Sequence, residues 1–360
     1  MDNRLEIAGA FGEQDVHSAA MAAAVEDWFA AYYGGGLLKL PYTVVRKLVR
    51  SIFAEYCPEG AFLATLPAQN AMELALIGGE SYLSPVFVDG WRWRVIPRTG
   101  IFIFARDFAG EPTDVGLTER RFWQKHYYTL LERRTVDRDG YLTVTNRLFR
   151  SNSRNALGRE VALSACPAFE KLPKEFTYPN AIGSVGLTRL AVPVANCIDG
   201  SREGVSIYAP ALQVIEAAEE NERLLQQEFR NGQSRLVVSR DLLSDGQLKD
   251  DLFVALDDSP EAVGITIFAP ELRQKSFLER QQSYLRTVES VIGLKRGLLS
   301  EVEAADRTAT EITSSEGEYM ATVLDLRHAF EHAAGSALET AAALGAPQEA
   351  CRIHWGDGVL

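Results

Sequence analysis

One short stretch of this chain has the residue types and spacing of a zinc peptidase. His328 and His332 stand one helical turn apart, with Glu331 between them. This H-x-x-E-H pattern lets two histidines hold zinc while the glutamate activates water. The chain has only 5 histidines and the surrounding segment is rich in alanine. These facts favour a second interpretation, exposed helix residues without a catalytic role, because so short a pattern often matches by chance.

Two acidic pairs have the residue type that binds divalent cations. Asp250-Asp251 and Asp257-Asp258 flank a strand-like run, but they lack the spaced oxygen ligands of a calcium loop and are also typical of solvated turns. The chain has no Walker-type phosphate loop and no G-x-S-x-G, and its Ser, His and Asp residues are too scattered to assign a triad. We therefore expect a protein that is not an enzyme and holds no cofactor or metal.

Composition narrows the class of protein further. With 360 residues, 46% of them hydrophobic, the chain can bury a sizeable core and form two or more lobes. Its net charge of -12 argues against a dedicated nucleic-acid binder, because such binding relies on Lys and Arg. Four widely spaced cysteines predict free thiols in an intracellular protein. We expect a soluble, unexported protein, since signal-peptide and membrane-span patterns are missing.

Helical periodicity dominates the N-terminal part of the chain. Apolar spacing predicts a helix over residues 15–33 that ends at three glycines, a second over 42–57 that breaks at Pro58, and a third over 66–77. The pattern then becomes alternating. Strands are predicted at residues 81–88, 91–96, 101–104, 121–136 and 141–150.

Two dipeptides, Asp89-Gly90 and Asp139-Gly140, predict hairpin turns in an antiparallel sheet. The run Trp91-Arg92-Trp93-Arg94 allows two interpretations: stacking on nucleic acid, or an ordinary strand with its tryptophans inward. Residues 151–207 contain four prolines and few periodic runs, which predicts an irregular covering segment.

A helix, a strand-rich insert and a second helix form the most distinctive part of the chain. Residues 209–231 and 271–292 each carry a narrow apolar stripe, the first interrupted near Asn221-Glu222, and the second helix is the more basic. We expect the two to attract and pack side by side, within a chain or between copies. The stripes contain Leu212, Ile215, Ala218, Leu225, Phe229, Leu278, Leu285, Val288 and Ile292.

Short strands are predicted inside the insert, at residues 235–239, 252–256 and 264–268, with a turn at 257–260. So small an insert has a minimal core, and we expect neighbouring subunits to complete it. A long alanine-rich helix is predicted at residues 308–344, followed by a strand-like run at 351–360.

Five stretches, taken in order, resemble the portal proteins of tailed bacteriophages, of the siphophage type. Each is weak alone, but together with the helix, insert and helix they cover residues 20–360. The stretches are Ile77-Gly78-Gly79-Glu80-Ser81-Tyr82, Tyr127-Tyr128-Thr129-Leu130-Leu131-Glu132, Asn196-Cys197-Ile198-Asp199-Gly200, Gly204-Val205-Ser206-Ile207 and Arg307-Thr308-Ala309-Thr310-Glu311-Ile312.

The resemblance implies an α+β fold: a portal-like wing domain with a two-helix stem, a small β-containing clip and a long C-terminal wing helix. Residues 1–208 match the wing, 209–233 the first stem helix, 234–270 the clip and 271–292 the second stem helix. Residues 293–311 match the tunnel loop, and 312–360 the wing helix and the start of the C-terminal region. Portal proteins continue beyond this point into a helical crown, which this sequence is expected to lack.

The same resemblance implies a function. A homo-oligomeric ring, expected to be a dodecamer, would sit at one capsid vertex of the virion as a conduit for DNA packaging and ejection. Its implied partners are double-stranded DNA held transiently and without specificity, the terminase large subunit, a head-completion or adaptor protein, and a major capsid or scaffolding protein. No membrane is involved, and assembly would take place in the host cytoplasm.

Charged residues of the stem, clip and loop are the candidate sites. Tunnel-facing cations are expected at Lys295, Arg296 and Arg307, and an acidic ring with few such cations favours sliding of DNA over tight binding. Subunit or partner contacts are expected at Arg235, Asp257, Asp258, Arg280 and Arg286. Two alternatives stay open: a zinc-dependent hydrolase using His328, Glu331 and His332, and a monomeric interaction module.

Overall fold

The architecture is known from a computed structural model that describes residues 2–13, 15, 19–34, 36–87, 89–108, 110–232, 235–238, 243–244, 247–248, 265–268, 273–301 and 309–356. Over these residues the protein is an α+β fold in which helices and antiparallel sheets are both prominent. The described part has seven α-helices: α1 (Asp2–Phe11), α2 (Ala19–Gly34), α3 (Leu40–Ile52), α4 (Ala68–Gly78), α5 (Leu212–Asn231), α6 (Gln274–Ile292) and α7 (Ala309–Ala343).

Strands of the described chain are all paired antiparallel. They are β1 (Cys57–Glu59), β2 (Glu80–Phe87), β3 (Trp91–Pro97), β4 (Ile101–Arg106), β5 (Pro112–Trp123), β6 (His126–Val136), β7 (Tyr141–Ser151), β8 (Arg159–Val161), β9 (Glu175–Ala181), β10 (Thr188–Ala191), β11 (Arg235–Val238), β12 (Leu243–Ser244), β13 (Gln247–Leu248), β14 (Ile265–Phe268) and β15 (Arg352–His354).

The strands form one large sheet and several small ones. The six-stranded sheet has the order β4-β5-β6-β7-β8, with β9 also paired to β7, and a three-stranded sheet has the order β10-β2-β3. β1 pairs with β15, β11 with β14, and β12 with β13. Both predicted hairpin turns occur, between β2 and β3 and between β6 and β7. Positive φ angles at Asp89 (52°), Gly90 (127°) and Gly140 (86°) explain the residue types found there.

One predicted strand, residues 121–136, is wrong. The structure breaks this run at Gln124 and Lys125, which join β5 to β6 in a tight hairpin. Both residues have left-handed backbone, with φ angles of 46° and 66°. Two such residues in a row suit a hairpin, because their twist matches that of the strands. This turn was not predicted from the sequence because it contains no Gly, Asn or Asp.

The helix predicted over residues 42–57 ends earlier, at Ile52. Its last carbonyls are bonded from α7: Arg327 Nε donates to the Ile52 oxygen at 3.0 Å and Nη2 donates to the Ser51 oxygen at 3.3 Å. The chain then extends, and Pro58 lies opposite Ile353 in the β1–β15 pair. The predicted C-terminal strand is therefore confirmed, in part of its range.

Residues 151–207, predicted to be irregular, contain the short strands β8, β9 and β10. They were missed because a three- to seven-residue strand at the margin of a sheet needs no long periodic run. The tryptophan-arginine run follows the strand interpretation: Trp93 stacks on Phe62 with ring centroids 4.5 Å apart, and its Nε1 donates to the Phe62 oxygen. Arg94 is bonded to Glu132 at 2.8 Å.

The largest hydrophobic core joins α2, α3, α4 and α7 to one face of the three-stranded sheet. The N-terminal half of α5 and the C-terminal half of α6 also pack into this core. Their buried residues there are Ile215, Ala218, Leu285, Val288 and Ile292. The Tyr208 hydroxyl, just before α5, donates to the Trp28 carbonyl at 2.8 Å. The two-helix segment is therefore anchored in the body of the protein at one end.

The insert is described only at four short strands. β11 and β14 lie where residues 235–239 and 264–268 were predicted to be extended, which confirms those two strands. The predicted strand at 252–256 and the turn at 257–260 lie outside the described residues. None of the described helices has the length and apolarity that crossing a lipid bilayer requires. All four cysteines are free thiols.

Candidate functional site

The two helices α5 and α6 form an antiparallel hairpin within one chain. The C-terminal end of α5 meets the start of α6, where the Arg273 guanidinium donates two hydrogen bonds to the Glu228 carboxylate, at 3.0 and 2.8 Å. This contact lowers the pKa of Glu228 and raises the pKa of Arg273. Opposite charges therefore close the hairpin beside the insert, as the charge pattern of the two helices predicted.

A buried amide pair fills the polar gap in the predicted stripe of α5. Asn221 is 5% exposed, and its Nδ2 donates to Gln281 Oε1 at 2.8 Å and to the Phe277 oxygen at 3.0 Å. Ile215, Ala218 and Leu225 continue the buried side of the helix. The interruption is thus part of the contact between the helices, because a buried amide finds its partners on the facing helix.

Two residues predicted to lie in the apolar stripes face outward. Phe229 on α5 is 41% exposed and Leu278 on α6 is 45% exposed, and Leu224 and Val291 of the same hairpin are 43% and 46% exposed. Glu219 differs from prediction in the opposite way, because a residue predicted to face solvent makes a contact inside the protein. Sequence placed it on the polar face, but its carboxylate accepts the Leu38 N–H at 3.0 Å.

This contact explains a glycine. A Cβ on Gly36 would lie 2.1 Å from the Glu219 carboxyl carbon. The glycine therefore leaves room for the Glu219 carboxylate to reach the Leu38 N–H.

The connection that follows α6 begins at Gly293, and its described part covers residues 293–301. This glycine has a φ angle of 75°, and its N–H donates to the Glu289 and Ser290 oxygens, so it ends the helix in left-handed backbone. An added Cβ would lie 2.4 Å from Thr322 Oγ1 on α7. Backbone conformation and the closeness of α7 both require glycine here.

Glu289 holds the loop together. Its side chain is buried at 1% exposure. Oε1 accepts the N–H groups of Gly297, Leu299 and Ser300 at 3.1, 2.5 and 2.9 Å, and Oε2 accepts the Ser300 hydroxyl at 2.7 Å. Four neutral donors surround one carboxylate, which offsets the cost of burying its charge. The loop therefore has a defined shape.

The described part of the loop presents two cations, one paired with a carboxylate and one with no such partner among the described residues. Lys295 Nζ lies 2.5 Å from Glu316 Oε1 of α7, and both side chains are nearly half exposed. Arg296 is exposed and makes no hydrogen bond or salt bridge to another described residue. It lines a cavity of about 400 Å³ together with Arg286 and Glu318. Arg307, the third predicted tunnel cation, lies outside the described residues.

The residues predicted to contact other subunits or partners differ in exposure and in position. Arg280 is exposed and bonds along its own helix, where Nε donates to the Tyr284 hydroxyl at 2.7 Å. Arg286, predicted to be exposed, is half-buried, because it lies against the cavity beside the loop. Arg235 begins β11, opposite Phe268. Asp257 and Asp258 lie outside the described residues.

The H-x-x-E-H stretch lies on α7 with both histidines exposed. Glu331 lies on the inner side, where its Oε1 accepts a hydrogen bond from Trp355 Nε1 at 2.5 Å. Among the described residues, no three or more His, Cys, Asp or Glu side chains lie close enough together to hold a metal ion.

Sequence reasoning missed Glu289 and the partner role of Gln281. Both lie on the same side of α6 as its apolar stripe, and a polar residue in such a position only weakly indicates that its side chain is buried.

No protein-family model matches the chain, and no curated protein gives a significant match to it.

Proposed function

We propose that the protein is a phage portal: a ring of identical subunits through which double-stranded DNA is packaged and ejected. One observation carries the proposal. The α5–α6 hairpin is anchored in the body at one end and leaves four large apolar side chains more than 40% exposed, Leu224, Phe229, Leu278 and Val291. Exposed apolar side chains on a projecting helical hairpin suit burial against the same hairpin of a neighbouring subunit.

The loop after α6 supports the conduit. It has a fixed shape because of Glu289, and it presents Arg296 without a carboxylate partner among the described residues. The chain as a whole carries a net charge of -12. A ring of such subunits repels DNA overall and touches it through few cations, which favours movement of the duplex over tight binding.

In this proposal the insert between α5 and α6 is the clip. Its β11–β14 pair stands at the far end of the hairpin from the shared core. The clip would dock the terminase large subunit during packaging and a head-completion or adaptor protein afterwards. The body would contact the capsid or a scaffolding protein at one vertex of the virion.

Electron microscopy of the purified protein tests the ring directly. We expect closed rings with a central hole, and mass photometry should give a single large species. Only monomers at high protein concentration would overturn the proposal. Stoichiometric zinc that is lost in His328→Ala would instead support the hydrolase.

A matched pair of variants tests the apolar surface. Phe229→Ser should shift the population from rings to monomers, because Phe229 lies on the hairpin and is 41% exposed. Phe108→Ser removes a fully exposed aromatic residue from the tight turn between β4 and β5 and should leave the rings intact. Equal ring formation by both variants would contradict the proposed contact.

Charge reversal tests whether hairpins of neighbouring subunits also attract. Arg280→Glu is the cleaner change, because Arg280 is exposed whereas Arg286 is half-buried. Ring formation should weaken, and the weakening should be larger at low salt. Unchanged oligomerisation would remove electrostatic pairing from the proposal while leaving the apolar contact to be judged by Phe229→Ser.

A further inference from the structure

The hairpin tip at one end of the large sheet exposes aromatic side chains on both of its faces. β5 and β6 meet there at Gln124 and Lys125, and Phe122 and Trp123, just before this turn, are 63% and 44% exposed. Successive side chains of a strand point to opposite faces. Phe122 therefore shares one face with Tyr127, with ring centroids 4.9 Å apart, and Trp123 lies on the other face.

The connection between β7 and β8 lies beside this tip. His126 Nδ1 lies 2.7 Å from Asn152 Oδ1, and the Arg120 guanidinium donates to the Arg154 oxygen. Both Lys125, in the first turn, and Arg154, in the second connection, have exposed side chains. Two chain segments therefore present cations at the same end of the sheet.

This end of the sheet is basic in a protein with a net charge of -12. Residues 120–131 and 140–159 contain no Asp or Glu. Four cations in these ranges make no salt bridge to another described residue: Lys125, Arg150, Arg154 and Arg159. They differ in this respect from Arg121 and Arg147, which are paired with Glu119 and Glu160.

Two of the four cations lie directly opposite each other. A row of opposite residues crosses four strands on the same face as Trp123: Arg121, Tyr128, Arg150 and Arg159. Like charges in directly opposite positions are destabilising. The row lies two residues, or about 7 Å, behind Trp123 along the strand. An anionic surface in front of the tip would therefore relieve the repulsion between Arg150 and Arg159.

A carboxylate of α1 also reaches this end. Glu6 accepts the Leu157 N–H at 3.2 Å, and its charge acts on Arg120. Burial and then the charge of Arg154 nevertheless lower the pKa of Arg120, against the opposite effect of Glu6. One carboxylate thus leaves an excess of positive charge around the tip.

The shape of the tip separates the possible anionic partners. Single-stranded nucleic acid stacks its bases on aromatic platforms, but the Phe122 and Tyr127 rings are tilted by 52° and Trp123 lies on the opposite face. An acidic protein surface would cover one face of the tip and leave the other in water. A bilayer interface surrounds what enters it. Aromatic side chains are enriched there, and anionic head groups attract nearby Lys and Arg.

We propose that this tip docks the protein on a lipid bilayer with anionic head groups. Phe122 and Trp123 enter the interface, Lys125 and Arg154 meet the first head groups, and the arginine row behind them adds longer-range attraction. The net charge of the whole chain matters less at this distance, because salt screens charges beyond about 8–10 Å. Such docking requires no membrane-spanning helix and is independent of ring formation. It differs from the expectation that no membrane is involved.

Sedimentation of the unaltered protein with vesicles tests the proposal directly. One set of vesicles is phosphatidylcholine alone, and the other contains about one-third phosphatidylserine. Binding to the anionic vesicles should be saturable, at least about 10-fold tighter than binding to the neutral ones, and weaker in high salt. No binding to the anionic vesicles, or equal binding to both sets, would overturn the proposal.

A matched pair of aromatic variants locates the contact. The double variant Phe122→Ser, Trp123→Ser should bind the anionic vesicles about 10-fold or more weakly, because both side chains leave the interface. Phe108→Ser removes a fully exposed aromatic residue at the opposite end of β5 and should bind normally. Equal binding by the double variant and the unaltered protein would show that the tip is not inserted.

A matched pair of charge variants tests the head-group contact. Lys125→Glu should weaken binding about 10-fold or more, whereas Arg138→Glu, in the exposed turn at the opposite end of β6, should have little effect. Equal weakening by both would indicate general repulsion and contradict docking through the tip. Full displacement from the vesicles by a single-stranded oligonucleotide would assign the tip to nucleic acid instead. If a variant does not fold, the comparison of vesicles with the unaltered protein still decides.

Discussion

The sheet region and the loop after α6 both bury carboxylates, but they neutralise them in different ways. Glu80 and Glu132 are bonded by arginines: Glu80 lies 2.9 Å from Arg98 and 2.5 Å from Arg189, and Glu132 is bonded by Arg94 and Arg134. Glu289 is bonded by backbone N–H groups and one hydroxyl. The first arrangement opposes charge with charge, whereas the second uses neutral donors.

The difference also concerns distance along the chain. Glu80 accepts the Gly204 N–H, 124 residues away, while the partners of Glu289 lie at most 11 residues away. Glu80 therefore ties remote segments together, and its loss affects the whole fold. Glu289 orders a neighbouring loop, and its loss should stay local. Ion pairs neutralise the buried carboxylates of the sheet region, whereas neutral hydrogen bonds shape the loop after α6 around Glu289.

The largest effect is expected from breaking the sheet cluster. Glu80→Ala leaves Arg189 without its carboxylate and Arg98, 2% exposed, with Glu203 alone. We expect the free energy of unfolding to fall by about 3–5 kcal/mol, because a buried charge loses its partner. Urea denaturation followed by circular dichroism measures the loss.

The matched control is Glu160→Ala, which removes an exposed salt bridge to Arg147. It should cost at most about 1 kcal/mol. A similar loss for Glu80→Ala and Glu160→Ala would contradict the central role of the buried cluster.

Acid should act on the same region. Burial alone would raise the pKa of both carboxylates, but arginine charges outweigh it and lower the pKa of Glu80 and Glu132 to about 2, from an unperturbed 4.5. A lowered pKa stabilises the folded state above the unfolded-state value, and this stability is lost as pH falls towards 2. By pH 3 each group should have lost about 2 kcal/mol.

Urea midpoints at pH 7, 5, 4 and 3 measure this loss. Stability should change little between pH 7 and 5 from these two groups and then fall. In Glu132→Gln the acid-dependent part should be smaller, and an unchanged acid profile would contradict the proposed source of the effect.

A smaller, local effect is expected at the loop. Glu289→Gln keeps the shape of the side chain but removes one acceptor oxygen and the charge. Hydrogen exchange of the Gly297, Leu299 and Ser300 amides should become faster, with a global loss of about 1–3 kcal/mol. Glu301→Gln changes an exposed residue of the same loop and should leave exchange unchanged. Uniformly faster hydrogen exchange throughout the protein would show that Glu289 stabilises the whole fold and not the loop alone.

Much of the fold could be predicted from periodicity. The long helix α7 and the hairpin helices α5 and α6 were predicted to within a few residues, because a repeating apolar pattern is local information. The turn at Gln124-Lys125 was not, because neither residue is a usual turn former. The early end of α3 was also missed, because Arg327, which bonds its last carbonyls, lies 275 residues away.

The candidate site was predicted only in outline. Sequence indicated the helix pair, the loop and its cations, but it assigned Phe229 and Leu278 to a buried stripe, and they are 41% and 45% exposed. A stripe shows which side chains share a face. How far the facing helix covers that face depends on the crossing of the two helices, which local pattern does not contain.

By itself, the sequence determined the kinds of elements and their order, since helical and alternating periods are properties of neighbouring residues. It also determined the charges available to the loop. Only the tertiary structure decided which of these charges form ion pairs within the chain. Lys295 is paired with Glu316, whereas Arg296 has no such partner among the described residues. Ion pairs form between side chains that the fold brings within a few ångströms, and no local pattern of residues encodes that distance.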